Sequence, residues 1–173
     1  VDAWLQKYRS QPSVQVKRSE ASTVQVFLQS LRGALSNYSG DAKTSFIFDL
    51  IQTDDTLRFF ARDDVASLAK SGVATPDHVI RMKAHPLLLE IDDTQKNTTE
   101  LAKLIETYSE NYREYFKRCA KSCQTAKKML SPLPKLIWAK GVGLIGVGTT
   151  AKEARVITDL AQQNIRVMAD GAD

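Results

Sequence analysis

The chain has 173 residues, with 24 Lys plus Arg against 20 Asp plus Glu and a net charge of +4. Hydrophobic residues make up 43% and charged residues 25%, ordinary globular usage that excludes a disordered chain and a disulfide-built miniprotein. The scattered positive charge predicts solubility and no nucleic-acid partner, and no apolar run reaches the ~18 residues of a membrane helix. Val1-Asp2-Ala3-Trp4 opens into mixed polar sequence with no signal-peptide pattern. One domain is expected at this length, burying roughly 70% of the unfolded surface. The lack of an initial Met reads as a fragment or a trimmed product.

In chain order, Trp4, Leu5 and Tyr8 make a short amphipathic piece halted near Pro12, and residues 13–23 read as linker or weak strand. Residues 1–23 thus form an N-terminal helix and linker, and 24–173 a single domain. Val24, Phe27, Leu28, Leu31 and Leu35 share one helical face. Ser45 to Ile51 is a compact apolar run, predicted to be a buried strand. Asp54-Asp55 and Asp63-Asp64 each open a short helix, the second stopping at Gly72. Thr75-Pro76 predicts an N-cap and first turn, Leu87 to Ile91 a strand, and Asp92 to Asn97 a polar loop.

The longest predicted helix runs from Asn97 to Cys123, opened by an Asn97/Glu100 capping box. Its stripe of Leu101, Leu104, Ile105, Tyr108, Tyr112, Tyr115, Phe116, Cys119 and Cys123 predicts a core face. The two cysteines, four apart, are expected as reduced thiols packed as small apolar groups, which suits a cytoplasmic setting. Pro132 and Pro134 end the helical region. Leu136 to Ala139 is a strand, Gly141 to Gly143 a turn, and Leu144 to Val147 another strand. Thr150-Ala-Lys-Glu153 is a capping box, with Ala154, Ile157, Leu160, Ala161, Ile165 and Met168 facing inward. Strands alternating with helices give a layered α/β domain.

Two motifs could carry chemistry. Gly141-x-Gly143-x-x-Gly146 follows a strand and precedes a helix, as a dinucleotide fingerprint does, which makes Gly141, Gly143 and Gly146 weak cofactor-binding candidates. Such a turn should lead straight into its helix, whereas Leu144, Ile145 and Val147 read as strand. The fingerprint also wants an acid about 20 residues on at the end of another strand; the available acids, Asp159 and Asp170, precede no further strand. A glycine-relaxed turn between two strands accounts for the motif better.

The second motif is Thr75-Pro-Asp-His-Val-Ile-Arg-Met-Lys83. Asp77, His78, Arg81 and Lys83 crowd a helix start, where amides and an Arg fork could hold a phosphate or carboxylate. His78 could also be an acid/base or a weak metal ligand. The alternative is structural, with Asp77 completing the cap and His78 making an ordinary hydrogen bond. His85 lies seven residues from His78, too far for a helical metal pair, and no zinc-ligand spacing is present. No catalytic residue stands out.

Leu31-Arg-Gly-Ala-Leu35, Thr75 to Lys83 and Pro134 to Ala154 together resemble the middle region of bifunctional proteins joining a class II aldolase to a short-chain dehydrogenase. These are of the rhamnulose-phosphate aldolase/lactaldehyde dehydrogenase type, and the resemblance covers roughly residues 24–170. It implies a three-layer α/β/α fold with a mixed sheet, class II aldolase-like. In that family a metal-binding His-x-His segment precedes this region and the dehydrogenase follows it. The family's closing segment carries Asn-His-Gly, whose His ligates zinc; Lys140-Gly141-Val142-Gly143 stands there instead, without a His.

The resemblance therefore implies an accessory aldolase-like domain with no cofactor of its own, in a parent protein using zinc and NAD. Its partners would be the parent's other domains, a sugar phosphate held by Asp77, His78, Arg81 and Lys83, and a possible second copy of the chain. The alternatives are a metal-dependent aldolase and a nucleotide-binding module.

Overall fold

The computed structural model describes residues 18–39, 44–121, 125 and 127–171. The expected helix around Trp4 and Tyr8 lies outside them, as does Cys123. Helix α1 spans Ala21–Ser39, so the last three residues of the expected linker are helical. Strand β1 (Ile47–Ile51) is followed by α2 (Asp54–Phe60), α3 (Val65–Leu68), α4 (Pro76–Met82) and β2 (Leu87–Leu89). A 3₁₀ turn at Ile91–Gln95 leads to α5 (Thr98–Ala120), then β3 (Leu136–Ala139), β4 (Gly143–Gly148) and α6 (Ala151–Gly171).

The sheet order is β1-β4-β3-β2. β4 runs antiparallel to both β1 and β3, and β2 pairs parallel with β3. The sheet is therefore mixed, as the resemblance implied. Its centre is the β3–β4 hairpin, all ten of whose strand residues are buried. A strand covered on both faces needs apolar side chains at every position rather than at alternate ones, and Leu136-Ile-Trp-Ala and Leu144-Ile-Gly-Val meet that need.

The two faces follow the period of two. Ile137, Ala139, Ile145 and Val147 pack with Val24, Phe27, Leu31 and Leu35 of α1 and Leu101 and Ile105 of α5. Leu136, Trp138 and Leu144 point the other way, against Phe59 and Phe60 of α2, Val65 of α3, Met82 of α4, and Ile157, Ala161 and Ile165 of α6. This makes three layers. Trp138 anchors the second face, 5.4 Å from the Phe59 ring and 5.5 Å from Phe60.

Local chemistry explains the ends. Asn97 accepts from Thr99 and Glu100 amides while Glu100 returns to the Asn97 amide, all at 3.0 Å. At α6, Thr150 Oγ1 accepts from the Glu153 amide, but the Glu153 carboxylate reaches back to Thr149 rather than to Thr150. The hairpin turn closes through Val142 N–H to Ala139 at 3.1 Å. Gly141 supplies its positive φ of 76°, a conformation side chains disfavour.

Four expectations differ from the structure. Strand β1 is a half-exposed edge strand, because it pairs only with β4. The strand expected to reach Ile91 ends at Leu89, because Glu90 and Asp93 cap a 3₁₀ turn in place of the expected loop. The hydroxyl of Thr75 does not cap α4; it bonds His78 Nδ1 at 2.6 Å. The stripe of α5 is fully buried at Leu101 and Ile105, and Leu104 and Tyr108 pack partly buried against the same core, while Tyr112, Tyr115 and Phe116 are half-buried outside it and Cys119 is exposed.

Gly146 fixes the distance between β4 and α6. A Cβ there would lie 2.4 Å from the Ala154 carbonyl oxygen and 2.9 Å from the Thr158 methyl. Backbone cannot yield cheaply, so Gly146→Ala is expected to destabilise the protein by about 2–3 kcal/mol through overpacking. Urea unfolding measures this; Gly33→Ala, facing only the Thr98 side chain at 3.1 Å, should cost clearly less.

Candidate functional site

The expected anion-binding cluster divides. Asp77 and Arg81 are exposed on α4, whereas His78 and Lys83 are buried, at 7% and 2% exposure. Asp77 and Arg81 do not pair with each other among the described ion pairs. A helix places residues i and i+1 on different faces, so α4 turns His78 inward to Thr75 while Asp77 and Arg81 face outward. Lys83 sits past the helix end with φ 70° and ψ 170°, and its backbone sends the side chain into the interior. There its Nζ donates to the Ser131 carbonyl at 2.5 Å.

Asp77 and Arg81 line an open groove of about 990 Å³ between α4 and the start of α6. Its other charged walls are Lys135, Lys152 and Glu153. Lys135 Nζ and the Glu153 carboxylate pair at 2.8 Å. Burial works to raise the Glu153 pKa, but hydrogen bonds from Lys135 and Thr149 and the charge of Lys135 outweigh it and hold it below the usual value. Because Glu153 already occupies the first turn of α6, an incoming anion would meet Arg81 and Lys152 rather than the helix amides. Ile80 and Leu130, 62% and 45% exposed, also line the groove. Sequence reading missed Lys135, Lys152 and these two apolar residues, which lie far apart in the chain and meet only in the fold.

The glycine motif is used for packing. Gly143 and Gly146 lie within β4, and α6 begins at Ala151 after Thr149 and Thr150. Added Cβ atoms would strike the Ile51 carbonyl oxygen at Gly143 and the Ala154 carbonyl oxygen at Gly146, each at 2.4 Å. These glycines admit neighbouring backbone, which leaves no cradle for a pyrophosphate at a helix start.

The turn that by resemblance stands at a zinc-ligand position lies at the carboxyl ends of β2 and β3. It borders a cavity of about 490 Å³ lined by Arg62, Asp63, Glu90, Asp92, Lys140 and Gly141, among others. Lys140 pairs with Glu90 at 2.8 Å, so a fixed cation already neutralises that carboxylate. Among the described residues no group of three or more His, Cys, Asp or Glu could hold a metal ion. The donor set does not fit zinc there, and His78 has no such partners beside it. No helix of the described residues is long and apolar enough to cross a membrane.

The lowered pKa of Glu153 fixes the sign of a pH effect. Its contribution to stability is present above the usual carboxylate pKa and is lost as pH falls through the folded value. Glu153→Gln should therefore lower unfolding free energy at pH 7, and the gap from the parent should close as pH falls below about 4. Chemical denaturation at several pH values measures that gap.

Comparison with known proteins agrees with this architecture. Residues 22–173 match the family model described as aldolase class II, second domain. The chain is 28% identical over 142 residues to a Bacillus subtilis (strain 168) protein named Uncharacterized oxidoreductase YuxG. That alignment covers 80% of this chain and 19% of the relative, so the chain spans about a fifth of that protein's length. No solved structure matches the chain. By fold, sequence and the span of the match, the chain belongs to the family of class II aldolase second domains.

Proposed function

We propose that this chain is an accessory domain of a longer cytoplasmic polypeptide of the sugar-phosphate aldolase/short-chain dehydrogenase type. Its groove between α4 and α6 docks against the rest of that polypeptide and presents cations to an anionic substrate. The observation that carries this reading is the groove itself. Exposed Ile80 and Leu130 lie beside Arg81 and Lys152 in one concavity. Apolar residues in a charged frame suit an interface, since scattered solvent-facing residues gain nothing from being grouped.

The match to a second domain, and to a fifth of an oxidoreductase-named protein's length, supports a role inside a larger chain. Zinc and NAD, in this reading, are held by the parent's other segments. Arg81 offers a planar fork to a phosphate or carboxylate, and Lys152 a mobile point charge. Asp77 on the same wall limits how much negative charge the groove accepts. His78 and Lys83 do not reach this groove and take no part in it.

The test is steady-state aldol cleavage by the intact protein. Arg81→Ala with Lys152→Ala should raise KM for the sugar phosphate about tenfold, equivalent to about 1.4 kcal/mol, with folding retained. Ile80→Glu should lower kcat/KM by loosening the docked domain. Unchanged kinetics in both variants would overturn the reading.

A further inference from the structure

Strand β2 is the second edge of the sheet, since it pairs only with β3. Leu88 of β2, Ala66 of α3 and three tyrosines of α5 line one cavity of about 270 Å³. Tyr108, Tyr112 and Tyr115 recur at intervals of four and three, which puts them on one face of the helix. Here that face passes from the core into half-buried surroundings, and this cavity lies against it.

The walls are held in place by their own contacts. The Tyr108 hydroxyl donates to the His85 carbonyl at 2.8 Å. The His85 and Tyr115 rings meet edge to face with centroids 6.1 Å apart, and Tyr115 lies 6.3 Å from Tyr112. Lys83 Nζ sits 3.5 Å from the Tyr112 centroid and braces that ring. A cavity of about 150 Å³ holds one benzene ring, so this one has room for a ring and a short chain. Aromatic walls favour an aromatic guest through edge-to-face and offset contacts.

The charge at the cavity has one sign. Among the described residues that line it, Lys70 carries a full positive charge and none is a carboxylate. Lys70 is exposed and takes part in no ion pair among the described residues. Asn111 is exposed as well, so these polar side chains stand at the mouth while Leu88 and the tyrosines are more buried. We infer that the cavity binds a small arylalkyl carboxylate, with its ring against Leu88 and the tyrosines and its carboxylate at the mouth beside Lys70 and Asn111. A carboxylate would lose its hydration inside; at the mouth it keeps water and gains an ammonium partner. A cationic head would meet like charge there. The site shares no lining residue with the α4–α6 groove and does not rest on the docking role.

Calorimetric titration of the intact protein with 3-phenylpropanoate, 3-phenylpropan-1-ol and 3-phenylpropylammonium tests it. Attraction of one head and repulsion of the other should make the carboxylate bind about tenfold tighter than the ammonium, with the alcohol between them. Lys70→Gln, at an exposed position, should weaken the carboxylate about threefold, the weight of an exposed ion pair, and leave the alcohol unchanged. The ring protons of bound 3-phenylpropanoate should show nuclear Overhauser contacts to the Leu88 methyls and the Tyr112 ring. No saturable binding of the carboxylate would overturn the inference, as would equal affinities for the carboxylate and the ammonium. A Lys70→Gln protein that holds the carboxylate as tightly as the parent would overturn it too. So would ring contacts to other residues with none to Leu88.

Discussion

The whole arrangement depends on the close approach of α6 to β4. Gly146 puts bare backbone where a side chain would stand, and the Ala154 carbonyl fills that space. With α6 seated this low, Ile157, Ala161 and Ile165 reach the same face as Trp138 and Leu144. The start of α6 is fixed as well, and with it Glu153, Lys152 and the groove against α4. A bulkier residue at one strand position would shift a whole helix and one wall of the candidate site.

The layers have different tasks. The α1–α5 side is a closed core: Leu31, Ala34, Leu35 and Ile105 are fully buried, and Gly33 lets α1 approach Thr98 at the start of α5. The other side sets the short helices α2, α3 and α4, joined by turns, beside the long α6, and polar irregularities gather there. His78 is bonded to Thr75, Lys83 is turned inward by a left-handed backbone, and Asn164 accepts from the Ala74 amide at 2.9 Å. Longer helices would have satisfied their own backbones and left less for side chains to do.

Much of the fold was legible in the sequence because local signals and burial agreed. The uninterrupted apolar runs of β3 and β4 reported a sheet covered on both faces, and the Asn97/Glu100 and Thr150/Glu153 pairs marked two helix starts. The later part of the α5 stripe misled for a physical reason: periodicity reports a shared face but not what covers it, and past Tyr108 that face is only half-buried or exposed. Of the four crowded residues from Asp77 to Lys83, spacing could not say that two face solvent and two face the core. The inward turn of Lys83 rests on one φ angle that no sequence pattern announces. Lys135 and Lys152 join Arg81 only through the fold, so no local motif could find them.

The chain belongs to a family of second domains, and in the proposed reading the exposed apolar residues of the α4–α6 groove are where it docks against the rest of a longer polypeptide. Maleimide labelling of a cysteine placed at Ile80 in the intact native protein tests this most directly, with a cysteine at exposed Glu106 on α5 as the reference. A covered groove predicts that the Ile80→Cys thiol reacts far more slowly than the Glu106→Cys thiol and catches up on unfolding. Equal native rates at the two positions would contradict the account.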